Sequence, residues 1–261
     1  MFCAKPNNTP PIPSSSLQMV LVLTDSTGAT KGILSRFERT NGAEWKPSGN
    51  AIPVVVGRNG LGGGIGLHDP SDLSGLPTKE EGDGRSPAGV FTLGSVFGLR
   101  PAEQMKKLRM PSVHVTEMTE CVDDVNSVRY NCIVSRDSVE KADRVDWTSS
   151  EKMSSYVICY ELGVVVDHNR NPVRKGSGSC IFLHIWSDPD KPTVGCTAMA
   201  ASNMEEIAEW LDAKKNPVLV QLTKPLYRHL RKRWELPKPE ILKNSTDTSP
   251  AESSGPARIH H

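Results

Sequence analysis

The sequence has no Cys-x-x-Cys pair, no long apolar run and no surplus of either charge. The first absence removes the commonest zinc and dithiol-redox signatures. The longest strongly apolar runs, such as Val20–Leu23 and Leu162–Val166, are about five residues, against the roughly 18 that a membrane-spanning helix needs. Lys+Arg of 31 against Asp+Glu of 30 leaves a net charge of +1. That balance excludes a nucleic-acid protein held by bulk charge and a strongly basic membrane-surface binder. Aromatic residues are 5% and the hydrophobic fraction is 37%, low for a globular chain. The 21 Gly and 20 Pro account for the deficit: much of the chain is turn and loop, and a long-helix or coiled-coil protein is ruled out. Six cysteines are too few for a disulfide scaffold and do not settle the compartment. The opening residues Met1-Phe2-Cys3-Ala4-Lys5-Pro6 carry no apolar stretch of signal-peptide length, so the chain reads as either cytosolic or processed.

What is present is a β pattern. Residues 1–16, with four prolines and a serine run, read as a flexible leader, and 236–261 as a disordered tail. Between them 17–235 show no repeat and no linker, and read as one catalytic-size domain. Strands are predicted over 17–24, 33–38, 52–56, 89–93, 128–134, 157–167, 180–185 and 218–222. A helical turn is predicted over 147–153. Ser202 with Glu205 reads as a capping box opening a helix through Met204, Ile207, Ala208 and Leu211, and 224–234 as a second, basic helix. Many strands followed by few helices predict a mainly β, sheet-on-sheet domain.

The chemistry concentrates late in the chain. An apolar strand carries His184 and ends at Trp186; a short loop then leads to Thr193-Val194-Gly195-Cys196-Thr197-Ala198-Met199. A thiol is a useful nucleophile only once its proton is removed, and a His in reach can take it. Gly195 lets the backbone approach a substrate and present N–H groups to an oxyanion. The competing readings are that both residues are buried and structural, or that Cys180, His184 and Cys196 are three zinc ligands, although no fourth ligand stands at usual spacing. Asp83 and Arg85 lie in a Gly-rich loop and are candidates for contact with a charged peptide, or a solvated turn. Tyr130 and Asn131 line a cleft or make ordinary cross-strand contacts; Trp186 floors the site or packs on the surface. Gly60–Gly66 lacks the ending of a phosphate loop, and Asp167-His168-Asn169 reads as turn chemistry. The basic face of 228–233 reads as solvated, or as a dock for anionic wall polymer.

The segment Phe182-Leu183-His184 with Lys191-Pro192-Thr193-Val194-Gly195-Cys196-Thr197 resembles the signature of the L,D-transpeptidase catalytic domain, the YkuD type. The loop Glu81-Gly82-Asp83-Gly84-Arg85-Ser86-Pro87-Ala88-Gly89-Val90-Phe91 is similar to the family's Asp-Gly-x-Thr-Pro-x-Gly-x-Phe loop. Segments 54–60 and 64–68 resemble what precedes that loop, and the resemblance spans roughly 17–222. Val194 stands where many members have a second His, Ala198 where many have Arg, and the His-to-Cys spacing of 12 is short, marking a divergent branch.

The resemblance implies a β-sandwich catalytic domain with a few short helices, acting on peptidoglycan stem peptides. Cys196 would form a thioester, releasing a terminal D-amino acid. His184 would be the base, oriented by the Ile185 carbonyl, and Gly195 and Cys196 would supply oxyanion N–H groups. Asp83, Arg85, Tyr130, Asn131, Trp186 and Thr193 are the implied substrate-binding set. Carbapenem-type compounds are implied inhibitors; no cofactor, metal, nucleic acid or membrane span is implied. Family membership places the work outside the cytoplasm, in periplasm or cell wall. Water as acceptor would make a carboxypeptidase, and an inert thiol a wall-binding module.

Overall fold

The computed structural model describes residues 9–40, 42–142 and 144–238. The first half contributes strands β1 (Gln18–Thr24), β2 (Lys31–Glu38), β3 (Lys46–Pro47), β4 (Ile52–Val55), β5 (Leu61–Gly63), β6 (Ser86–Gly98) and β7 (Ser112–His114). Then come β8 (Thr119–Val122), β9 (Ile133–Ser135), β10 (Ser150–Lys152), β11 (Gly163–Val166), β12 (Phe182–Ile185), β13 (Thr197–Met199) and β14 (Val218–Thr223). The helices are α1 (Ala102–Met105), α2 (Arg136–Ala142), α3 (Ala201–Trp210) and α4 (Lys224–Leu230).

Following the hydrogen bonds, β1, β14, β6, β11, β12, β13, β4 and β2 are neighbours in turn, and β2 pairs with β1 again. The sandwich is thereby closed into a barrel-like ring, with β3, β5 and β7 attached at its margins. β1 shows why the sequence does this: Met19-Val20-Leu21-Val22-Leu23 is apolar without alternation, and all seven residues of β1 are buried. One face looks into the core and the other is covered, in part by α4, as a strand buried on both faces requires. The core runs from these residues through Phe37, Phe91, Val164, Leu183, Ile207 and Trp234.

Helix α4 begins with Thr223 Oγ1 accepting the Leu226 N–H (3.3 Å) and has Pro225 in its first turn, both favourable there. It ends at Leu230, short of the predicted Trp234. Helix α3 starts one residue before the predicted cap: Ala200 is the N-cap and makes no side-chain bond, and Glu205 pairs with Arg100 (2.7 Å). Two strand predictions need correction. Residues 128–132 are turn, with Val128 79% exposed and Asn131 at φ 65, and only Ile133–Ser135 is strand. Residues 157–162 are also turn, so the predicted 157–167 strand shrinks to β11. The predicted helical turn over 147–153 is strand β10 running into a 3-10 turn at Met153–Ser155.

Strands β8, β9 and β10 form a separate small sheet, ordered β10-β8-β9. Its anchor is Glu120, buried beneath Arg136 (2.6 Å), Trp147 Nε1 (2.8 Å) and Ser150 Oγ (2.7 Å). Burial alone would raise this carboxyl; the three donors outweigh it and hold its pKa at about 2. A disulfide between Cys121 and Cys180 fastens the small sheet to the chain just ahead of β12. The expected leader and tail fall largely on 1–8 and 239–261, outside the described residues. Of the rest, Ile12 and Leu236 are buried in the core, and Arg39 donates to the carbonyls of Ser16 (2.8 Å) and Pro13 (2.7 Å). Among the described residues no helix is long and apolar enough to cross a membrane.

Candidate active site

Strands β12 and β13 are parallel neighbours with Leu183 opposite Thr197 and His184 opposite Ala198. Because side chains alternate along a strand, Phe182, His184, Cys196 and Ala198 share one face. Cys196 stands at the head of β13, diagonal to His184, and Ala198 is small enough to leave the space between them open. Both reactive residues face a cleft of about 310 Å³, lined also by Glu151, Tyr156, Cys159, Tyr160, Trp186, Lys191, Thr193 and Val194.

The thiol sits in a cradle of main chain. Its Sγ receives the Phe182 N–H (3.3 Å) and donates to the Cys180 carbonyl (3.5 Å). Burial pushes its pKa up, the charge of Glu151 pushes further, and the Phe182 bond and Lys79 oppose them. The imidazole is shifted the other way. Burial lowers His184 to about 4, although its bond to the Ile185 carbonyl favours the cation. The pair at rest is therefore a neutral thiol and a neutral imidazole. His184 Nδ1 lies 2.7 Å from the Ile185 oxygen; a carbonyl only accepts, so Nδ1 carries the proton and Nε2 is the free base. Tyr160 holds the ring from the side, edge-on with centroids 5.6 Å apart.

Thr193 ties the loop ahead of Cys196 together. Its Oγ1 donates to the Cys196 carbonyl (2.6 Å) and accepts the Gly195 N–H (3.2 Å). The Gly195 amide is thus occupied, which leaves the Cys196 N–H as the candidate oxyanion donor. The Cys196 carbonyl takes a second bond from Ser86 Oγ (2.8 Å), which also accepts the Gly57 N–H (2.8 Å). Gly57 has to be glycine at this crossing, since a Cβ there would stand 2.4 Å from the Gly84 carbonyl oxygen. Ser86 lies inside the loop that carried the resemblance, yet nothing in the sequence singled out its hydroxyl.

The remaining sequence candidates divide. Trp186 and Thr193 line the cleft. Asp83 and Arg85 do not: Asp83 accepts from Lys79 (2.6 Å) and the Arg85 N–H (2.9 Å), and Arg85 donates to the Asn59 carbonyl (2.6 Å). Their charges are spent on shaping the loop. Tyr130 and Asn131 are buried beneath the site. The Tyr130 hydroxyl donates to Glu81; Asn131 accepts the Cys180 N–H (3.0 Å) and donates to the carbonyls of His168 (2.9 Å) and Asn169 (2.8 Å). They support the cradle from below. Cys180 is in the disulfide and cannot join His184 and Cys196 as a zinc ligand; among the described residues no group of three His, Cys, Asp or Glu could hold a metal. His168 is not available as a base: Nδ1 accepts the Ile65 N–H (3.2 Å) and Nε2 meets the Ser177 carbonyl (2.9 Å). Sequence reasoning missed the cleft residues Glu151, Tyr160 and Cys159, which belong to no motif, and gave no role to Lys191.

The chain matches no curated protein and no solved structure. The model of the YkuD L,D-transpeptidase catalytic domain does match it, over residues 50–220, a span that holds β4 through β13, the start of β14, the cleft, His184 and Cys196. Family members act on peptidoglycan stem peptides and typically work outside the cytoplasm. On that match and the barrel that carries it, the chain belongs to the L,D-transpeptidase catalytic domain family.

Proposed function

We propose that the protein is a cysteine-dependent L,D-transpeptidase that handles peptidoglycan stem peptides through a thioester on Cys196. The observation that carries this reading is the free, buried thiol set diagonally to an imidazole whose Nε2 faces the same cleft. As Sγ attacks the donor carbonyl, its proton passes to His184 Nε2. The C–N bond to the terminal D-residue then breaks, and His184 returns the proton to the leaving nitrogen. The Cys196 N–H steadies the oxyanion, a contribution of about 10²–10³ in rate for such a donor. An amine next attacks the thioester, the C–S bond breaks, and the proton given up by nitrogen reaches sulfur by way of His184. Because both partners start neutral, proton transfer accompanies attack. A preformed thiolate–imidazolium pair, with unperturbed values of about 8.5 and 6.5, already lies about 2.7 kcal/mol uphill, and burial of both groups widens that gap. The disulfide agrees with work in an oxidising compartment outside the cytoplasm.

The test is mass spectrometry of the protein with a disaccharide-tetrapeptide. The expected result is a thioester adduct on the peptide containing Cys196, together with a cross-linked dimer. Cys196→Ala should remove both while leaving the melting temperature near wild type. Turnover retained in the Ala variant would end the proposal.

A further inference from the structure

The cleft holds a carboxylate for which the thiol chemistry has no use. Glu151, on β10 of the small sheet, reaches the same cleft as Cys196 and His184. Its Oε2 accepts the Tyr160 hydroxyl at 2.7 Å, and Tyr160 is itself only 5% exposed and stacked edge-on against His184. Glu151 is therefore fixed in place, and its charge is felt at the Cys196 sulfur. Among the described residues it has no cationic partner. The charges that bear on it are Asp123 and Glu81, both negative. Glu81 is satisfied by Tyr130 and Ser179 (2.7 Å), but Asp123 Oδ1 is buried without a hydrogen-bond partner. This corner of the cleft is electronegative and under-neutralised, so it favours an incoming cation.

We infer that Glu151, positioned by Tyr160, is the acceptor site: it binds the ammonium group of the incoming amine and takes the proton that must leave before nitrogen can attack. The inference rests on the transpeptidase reading above. A lysine-type amine, with an ordinary pKa of about 10.4, arrives at neutral pH as R–NH₃⁺. That form has no lone pair and cannot attack a thioester. Glu151 carboxylate accepts one proton, giving R–NH₂ and a carboxylic acid, and the acid later returns its proton to solvent. The lone pair then forms the C–N bond, sulfur leaves, and the second nitrogen proton travels through His184 to sulfur. Burial, with Asp123 and Glu81 nearby, raises Glu151 to about 7, the range in which a carboxylate both takes and releases a proton near neutrality. Lys191, on the same cleft, gives the site the opposite charge for a substrate carboxylate. Water needs no such discharge, so Glu151 also sorts amine from water.

The experiment forms the thioester with disaccharide-tetrapeptide and then follows its decay in single turnover with Nα-acetyl-lysine, with hydroxylamine, or with buffer alone. Hydroxylamine is largely uncharged at neutral pH. In Glu151→Gln, whose amide oxygen still accepts from Tyr160, the thioester should form and hydrolyse. Its reaction with hydroxylamine should persist, while aminolysis by Nα-acetyl-lysine falls by about 10²-fold. Tyr160→Phe, which frees Glu151 without removing it, should show the same selectivity to a smaller degree. Undiminished lysine aminolysis in Glu151→Gln would overturn the inference. So would an equal loss with both nucleophiles in both variants, which would mark a general defect. Failure of the wild type to form any thioester would instead overturn the transpeptidase reading beneath it.

Discussion

Reduction of the Cys121–Cys180 bond offers a sharp test of how the small sheet is held. The bond spans a sequence separation of 59, and closing a loop of that size removes about 4 kcal/mol of chain entropy from the unfolded state. Reduction is a cleaner perturbation than substitution, because both sulfurs remain and the core around Cys121, which is 0% exposed, loses no volume. Since Cys180 is also only 3% exposed, the bond is shielded from reductant in the folded protein. The comparison therefore uses protein refolded from urea with and without dithiothreitol, with thiol content checked by mass. For a chain of this size each kcal/mol is worth about 2–4 °C, so the midpoint should drop by about 8–16 °C. Function should suffer beyond stability, because the Cys180 carbonyl accepts from the Cys196 thiol and Cys180 sits at φ 54, an unfavourable region for a non-glycine residue. Without the covalent tie that backbone relaxes and the sulfur loses its cradle. A fully reduced protein melting within about 2 °C of the oxidised form would refute the loop-closure account.

Three further outcomes are expected. His168 and His184 are both lowered to about 4 by burial, so the unfolded chain takes up their protons first as pH falls below about 6.5. Each therefore withdraws about 3 kcal/mol of stability between pH 6.5 and 4, while Glu151, raised to about 7, returns a similar amount between 7 and 4.5. Urea melts should show a net loss of about 3 kcal/mol by pH 4, and a flat profile over that window would contradict the assignments. Thr193→Val removes the bonds to the Cys196 carbonyl and the Gly195 N–H and should cost about 1–2 kcal/mol of stability, with a proportionately larger loss in acylation rate. Iodoacetamide should label exposed Cys132 before buried Cys196, because the resting thiol is protonated; peptide mapping over time checks the order.

Much of the barrel was readable because its strands are rich in β-branched and other apolar residues: 17–24, 33–38, 52–56 and 218–222 match β1, β2, β4 and β14 closely. The misreadings share a cause. Val128-Arg129-Tyr130 and Val157-Ile158-Cys159-Tyr160 have strand composition but are turns, since Tyr130 and Tyr160 are committed to the carboxylates of Glu81 and Glu151. Propensity cannot register a tertiary hydrogen bond. That His184, Cys196 and Thr193 share one cleft follows from a spacing that sets them on or just ahead of two neighbouring strands. Asp83 and Arg85 lie outside the cleft, and in sequence a charged Gly-rich loop looks the same whether its charges face a ligand or each other. The disulfide and Glu151 were invisible for another reason: the disulfide joins residues with a sequence separation of 59, and Glu151 meets Tyr160 only through the turn that precedes β11, and no sequence pattern encodes either.

The closure of the ring is uneven, and the unevenness falls beside Cys196. Strands β1 and β2 pair through seven residues, whereas β13 meets β4 at the single pair Ala198–Val55. Two main-chain bonds reinforce that seam, from Thr193 N–H to Val56 (3.0 Å) and from Arg58 N–H to the Thr193 carbonyl (2.8 Å), and Ser86 Oγ bridges Gly57 and Cys196 across it. With each bond worth about 1 kcal/mol net, the seam parts at a small fraction of the cost of global unfolding. Cys196 thus lies beside the most sparsely paired seam of the ring. Parting a few main-chain bonds there would widen the cleft and leave the core on the β1 side intact.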